Sequence, residues 1–175
     1  MIYAVECSYN DRASEVEWNA FYSFEKLPAL ISVAGINTSQ RFKALTPGCP
    51  KYLALHSVAC PDVLLSAEYR LKGGGNFAKW QSHITDWHRN VYEGIELMPA
   101  VGPTDLLALS FDGSSAFEHD DEAFRLEAVA LDMKPAFRWL RVFDLVKVDL
   151  ARLRLEGLAL YEPMGKRLMP GVRNE

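Results

Sequence analysis

An α+β fold, with helices covering one face of an antiparallel sheet, is expected from three features of this sequence. Short alternating apolar segments suited to strands occupy residues 2–8, 38–44 and 51–59. A stretch with helical spacing, 11–34, separates the first of these from the second. A further helical period, Trp80, Ile84, Trp87, Val91 and Ile95, follows the third.

Residues 2–8 alternate Ala4 and Glu6 on one side with Tyr3, Val5 and Cys7 on the other, and Asn10-Asp11 then offers a helix cap. Turns of about 100° per residue put Trp18, Tyr22, Glu25 and Ala29 on one stripe. Pro28 has no N–H to give the preceding turn, and Gly35 tolerates the positive φ that ends a helix. The helix is therefore expected to bend near Leu27 and stop near Ala34. A hairpin pairs 39–45 with 51–59 across the turn-rich 46–50, and Pro61 ends it. Residues 62–71 can open a helix that the glycine run 73–75 interrupts. That run lacks the Lys-Ser/Thr ending of a phosphate loop and reads as a hinge or lid. The second long helix is placed at 77–94, with Ser82, Asp86, Arg89 and Glu93 toward water, and a short strand at 97–101. The resulting order, β-α-β-β-α-β over about a hundred residues, is that of a ferredoxin-like half-barrel.

Beyond it, 105–112 is apolar, 120–132 suits a helix, and 138–148 and 153–161 suit strands, which repeats β-α-β-β. Ala4-Val5 is echoed by Ala108-Leu109, and Arg41-Phe42 by Arg141-Val142-Phe143. Leu53-Ala54-Leu55-His56 is echoed by Leu158-Ala159-Leu160-Tyr161, and all three spacings fall between 100 and 105 residues. Two units are expected: 1–102, and a degenerate copy, 103–175, packed on it without a last helix and strand.

The 175 residues, 49% hydrophobic, suffice for a well-buried core. A net charge of −4 and a pI near 5.6 argue against nucleic acid as a partner, since phosphate neutralisation needs a concentrated basic surface. No apolar run reaches the roughly 18 residues that span a bilayer, so no membrane partner is expected and the chain is placed in the cytoplasm. Cys7, Cys49 and Cys60, without a CxxC pair, read as plain thiols rather than a metal site.

Trp18 with Phe21-Tyr22, Glu25-Lys26-Leu27-Pro28, Gly35 followed by Arg41-Phe42, and Pro50 with Tyr52-Leu53-Ala54-Leu55 occur in order and at family-like spacing. On these residues the first hundred resemble the dimeric α/β-barrel superfamily, in particular its EthD-like members. Relatives commonly carry histidine where this chain has Lys26. The resemblance implies two half-barrels pairing their sheets, within one chain or as a homodimer, and a small ligand held between helices and sheet. The superfamily includes cofactor-free monooxygenases, cyclases, isomerases, dehydratases and haem enzymes, so the fold alone selects no reaction.

Among single residues, Glu25 on the buried stripe is a candidate general acid or base, with an ion pair to Arg41 or Lys43, or a stripe turned to solvent by that point, as the structural readings. His88 and His83 border the expected second helix, and their spacing of five does not suit a helical zinc site. His56 shares an even-numbered strand face with Tyr52, and Glu6 the even face of the neighbouring strand, so a Glu6–His56 pair is expected if those faces coincide. Tyr3, Tyr22, Tyr52 and Tyr161 can donate to a developing oxyanion, and Arg41 or Arg141 can grip a carboxylate. Trp18 and Trp87 offer rings for stacking. His56, Glu25, His88 and Glu6 are thus the expected catalytic set. Tyr3, Trp18, Tyr22, Arg41, Tyr52 and Trp87 are the expected substrate contacts, with no metal and no cofactor.

The reading these residues favour is a cofactor-independent isomerase, cyclase or lyase, with ester hydrolysis as a neighbouring chemistry, acting on a small aromatic carbonyl compound. A cofactor-free or haem-dependent monooxygenase and a non-catalytic small-molecule-binding protein are the alternatives.

Overall fold

The computed structural model describes residues 1–73, 77–111, 117, 119–147 and 157–171. Eight strands form one closed antiparallel barrel: β1 Ile2–Tyr9, β2 Ile36–Ala44, β3 Tyr52–Val58, β4 Ile84–Glu93, β5 Asp105–Ser110, β6 Phe124–Leu131, β7 Phe137–Asp144 and β8 Leu158–Pro163. Around the barrel they run β1-β3-β2-β8-β5-β7-β6-β4. Helices α1 Glu15–Phe21 and α2 Leu27–Ile31, joined by a π turn at Tyr22–Lys26, connect β1 to β2. Helix α3, Ala67–Lys72, follows β3. Among the described residues no helix follows β5, and none is long and apolar enough to cross a membrane.

The early strands lie where alternation places them, whereas the first helix starts at Glu15, after Ser14, and not at the expected Asn10-Asp11 cap. Gly35 takes φ +89° after the helix, and a Cβ there would come within 2.6 Å of Val63 Cγ2, so only glycine suits the turn. The later elements differ from expectation. Residues 77–94 are not a helix but a 3-10 turn, Ala78–His83, followed by β4. Ile84, Thr85, Trp87, Val91 and Tyr92 are strand-favouring side chains, and pairing with β1 over Ile2↔Tyr92 to Tyr9↔Ile84 overrides the helical period. Asp86, at φ +49°, sits at the irregularity in that pairing. The fourth strand therefore lies at 84–93, and 97–101 is irregular chain with Met98 and Val101 buried. Residues 120–132 likewise form β6 rather than a helix, because Arg125, Glu127 and Val129 alternate with Leu126 and Ala128. The glycine run, expected as a hinge, falls on 74–75 outside the described residues, as do 148 and 153–156 of the expected late strands.

Two layers of core follow from strand alternation. Ile2 and Ala4 of β1 point into the barrel, where they meet Phe42, Leu53, Tyr92, Leu107, Leu126, Leu140 and Tyr161, at least one from every strand. Tyr3, Val5, Cys7 and Tyr9 point outward beneath the helices, against Trp18, Tyr22, Leu27 and Leu30. The barrel interior also holds an ion pair. Arg138 of β7 donates from Nη1 to Glu6 Oε1 at 2.9 Å and from Nε to the Ser110 carbonyl at 2.8 Å, and both charged side chains are buried. Desolvation lowers the Arg138 pKa, but the Glu6 carboxylate together with the Tyr161 and Tyr92 hydroxyls outweighs it and holds the value above the ordinary one.

This pair joins strands from opposite sides of the barrel. Glu6→Leu leaves the guanidinium buried without a counter-charge and is expected to lower stability by about 3 to 5 kcal/mol. Glu6→Leu with Arg138→Met is expected to recover most of that loss in urea denaturation. A double variant no more stable than the single one would show that the pair is not the unit.

Candidate functional site

The π turn decides which side chains face the sheet. By adding one residue to the helical turn it moves the inward position after Tyr22 from 25 to 26. Trp18, Tyr22, Lys26 and Leu30 are buried in succession, and Glu25 is exposed. Glu25 is thereby corrected from buried acid to surface residue. Lys26, only 6% exposed, donates from Nζ to the Gly73 carbonyl and lies 4.7 Å from the Phe77 ring centre. Gly73 itself packs closely, since a Cβ there would come within 2.3 Å of Leu30. Burial lowers the Lys26 pKa to about 8.

Opposite Lys26, β3 presents His56. Its cross-strand neighbours are Tyr3 on β1 and Ser39 on β2. Nδ1 is 2.8 Å from Ser39 Oγ, and the ring stacks on Tyr3 at 5.4 Å between centres. Nε2 is buried and has no hydrogen-bond partner among the described residues. Desolvation first, and the Lys26 charge second, lower the His56 pKa to about 3, so the imidazole is neutral through the physiological range. Tyr3 and Tyr69 share a hydrogen bond of 2.9 Å between hydroxyls. Burial raises the Tyr3 pKa and lifts that of Tyr22 as well. Tyr3, Tyr22, Lys26, His56 and Tyr69, with Phe77 and Trp87, line a partly open space of about 10 Å³, about the room one water needs.

The expected Glu6–His56 pair does not form. β1 and β3 pair Tyr3 with His56 and Glu6 with Leu53, so an even residue on one strand shares a face with odd residues on the other. Glu6 points into the barrel and His56 out beneath the helices. His88 is also corrected: it lies on a strand, 56% exposed in its side chain, with Nδ1 3.9 Å from Asp132 Oδ2. Tyr3, Tyr22 and Trp87 border the space near Lys26. Trp18 lies to one side, stacked on Tyr9 and edge-on to Tyr52 and Tyr22. Tyr52 donates to Glu15 and accepts from Asn19. Arg141 is tied to Asp120 and Glu122 near exposed His119. Among the described residues no cluster of His, Cys, Asp or Glu is placed to hold a metal ion.

Arg41 is buried at 3% exposure beneath the helix. Nη1 donates to the Asn19 carbonyl and Ser23 Oγ, and Nη2 to Asn19 Oδ1. The guanidinium carbon lies 4.1 Å from the Tyr22 ring centre, 5.1 Å from Trp18 and 5.4 Å from Tyr52. No carboxylate pairs with it among the described residues, and desolvation lowers its pKa. Sequence reasoning missed Lys26, Tyr69 and Ser39 as site members. For Lys26 the available signal was its place four residues after Tyr22, readable only once Pro28 is seen to bring a π turn with it.

The burial of neutral His56 has a pH consequence. Between pH about 3 and 6.5 the unfolded chain binds a proton that the folded chain does not, so stability falls as pH drops through this window. Lys26 acts with the same sign but above pH 8, outside it. His56→Gln is expected to shrink the loss of stability between about pH 7 and pH 4.5. An unchanged loss would show that His56 does not carry it.

No family model matches the chain, and no curated protein matches it. Solved structures do. An anthrone oxidase-like protein superposes with a TM-score of 0.57 at 8% identity, covering 99% of this chain and 94% of that one. A "putative monooxygenase" from Lactobacillus acidophilus NCFM superposes with a TM-score of 0.51 at 7% identity, covering 94% of each chain. At these identities the likeness concerns the fold, and the fold of this chain is the dimeric α/β barrel.

Proposed function

We propose that this chain oxidises an electron-rich aromatic compound with dioxygen, without a bound cofactor, and that Lys26 and His56 face the oxygen. The observation that carries this reading is the small space where a buried ammonium lies near a neutral imidazole whose Nε2 has no hydrogen-bond partner among the described residues, amid aromatic side chains. The isomerase, cyclase or lyase expectation is corrected. The similar solved structures bear oxidase and monooxygenase names, and the Glu6–His56 pair on which proton shuffling was to rest is absent. A haem does not fit these residues, because Tyr3, Tyr22, Tyr69, Phe77 and Trp87 leave about 10 Å³ before His56 Nε2.

An apolar, aromatic wall suits dioxygen, which carries no charge on entry. When an electron-rich substrate gives it an electron, a negative charge develops in a water-poor site. The Lys26 ammonium is already in place to stabilise that charge. The Lys26 N–H and the Tyr3–Tyr69 hydroxyls can supply the proton that peroxide formation needs. For an activated methylene the balance is one methylene and one dioxygen giving a hydroperoxide on that carbon, which then loses water to leave the ketone. Both methylene C–H bonds and the O–O bond break and a C=O double bond forms: one oxygen atom enters the product, and the other leaves as water with both methylene hydrogens.

We also read the barrel as two fused ferredoxin-like units, 1–102 and 103–175. In barrel order the first four strands run β4-β1-β3-β2 and the last four β8-β5-β7-β6, the same sequence of positions. On that reading β6, not β7, corresponds to β2, and β7, not β8, to β3. Of the three echoes, Ala4-Val5 with Ala108-Leu109 equates corresponding strands, β1 and β5, whereas the other two equate the wrong ones. The barrel closes within one chain, so closure needs no second copy.

An oxygen electrode tests the oxidation reading with anthrone-type methylenes and polyphenols. Uptake is expected, with one ketone formed per dioxygen for the methylene substrates. Lys26→Met is expected to lower kcat by about 10² to 10³. With a substrate ionised throughout, uptake should fall as pH rises through about 8, where Lys26 loses its charge. No uptake with any of these compounds, or wild-type rates in folded Lys26→Met, would remove the reading.

A further inference from the structure

Arg41 poses a question that the oxygen site does not answer. A guanidinium at 3% exposure has lost nearly all its hydration, yet its neighbours are amide, hydroxyl and aromatic groups, with no carboxylate among the described residues. Ring faces and neutral acceptors offset part of the desolvation, not the whole charge. The three hydrogen bonds engage three of the five guanidinium N–H donors. A buried cation so placed favours an anion.

There is a place for one. A groove of about 340 Å³ runs between the helical segment 16–27 and the chain 164–168, with Arg41, Asn19 and Ser23 on its polar side and Lys166 at its exposed rim. Its other walls are apolar, among them Ala20, Phe24, Leu27, Met164 and Leu168. Phe24, 78% exposed, stands open at its edge. The volume lies within the range of small-molecule sites, and the lining has their usual composition, mostly apolar with a few convergent polar groups.

We propose that this groove binds an aromatic carboxylic acid, with the carboxylate on Arg41, the ring system against Phe24 and Leu27, and Lys166 adding a second positive charge. A carboxylate matches the planar fork of a guanidinium, and the apolar walls reward a flat hydrocarbon body. Tyr22 separates this groove from the oxygen site and touches both, with one face toward Arg41 and its edge lining the space near Lys26. The groove stands on its own geometry and does not require that the chain react with dioxygen.

Calorimetry and tryptophan fluorescence on the full chain under nitrogen, without turnover, test it with 2-naphthoate, its neutral amide and inorganic phosphate. Naphthoate is expected to bind and to change the emission of Trp18, whose ring lies 5.1 Å from Arg41. The amide and phosphate are expected to bind at least about tenfold more weakly. Arg41→Gln is expected to weaken naphthoate by about tenfold or more, and Lys166→Glu by about threefold. Because Arg41 is buried and its variant can fail to fold, Ala20→Trp, on an exposed helical position, serves as a second test by filling the groove. It should abolish binding while leaving the fold intact. Equal affinity for acid and amide, equally tight phosphate, or unchanged naphthoate binding in Ala20→Trp and Lys166→Glu would overturn the assignment. Failure here leaves oxygen uptake untouched, and failure of oxygen uptake leaves this binding untouched.

Discussion

The single inserted residue of the π turn at Tyr22–Lys26 governs the chemistry of the helix-covered face. A regular helix would carry Glu25 inward and leave Lys26 in water. With the extra residue the register slips by about a quarter turn, and a cation takes the place of a carboxylate beneath the helix. Everything near it follows from that exchange. The Lys26 charge helps keep His56 neutral, and Gly73 must approach closely enough to accept its N–H. The surrounding rings can pack without a water-filled channel to hydrate an acid. π turns of this kind are often found at functional sites, and here one selects the sign of the buried charge.

The barrel wall keeps two kinds of buried charge apart. Inside, Glu6 and Arg138 neutralise each other, with the buried Tyr92 and Tyr161 close by. Outside, beneath the helices, Lys26 donates to the Gly73 carbonyl, and Arg41 donates to Asn19 and Ser23 with no carboxylate against it among the described residues. The inner pair is a closed structural unit, because both charges are satisfied. On the proposed reading a reduced oxygen species meets the Lys26 ammonium and an organic carboxylate meets the Arg41 guanidinium.

Much of the first half was legible in the sequence. The alternation of 2–8, 38–44 and 51–59 and the Gly35 stop act through local chemistry, and each lies where that chemistry puts it. The bend expected near Leu27 is instead a π turn just before it, after which the helix continues through Pro28. What was not legible depends on partners distant in sequence. β4 has a true helical period in Trp80, Ile84, Trp87 and Val91, yet forms a strand because the open edge of β1 takes it. The parity of Glu6 and His56 depends on a pairing register that hairpin length does not reveal. For the site, Tyr3, Tyr22 and Trp87 were found through their aromatic character, whereas Glu25 was chosen in place of Lys26 because a regular turn was assumed.

The proposed oxygen chemistry depends on one small space in which a charged Lys26 faces a neutral His56. Heteronuclear NMR of the folded chain, following the Lys26 side-chain carbon and amine nitrogen and the His56 ring nitrogens across pH, measures both states directly. A Lys26 midpoint near pH 8 is expected, with a His56 ring that stays neutral down to about pH 4. An ordinary Lys26 midpoint near about 10.4, or a His56 that titrates near about 6.5, would contradict that arrangement.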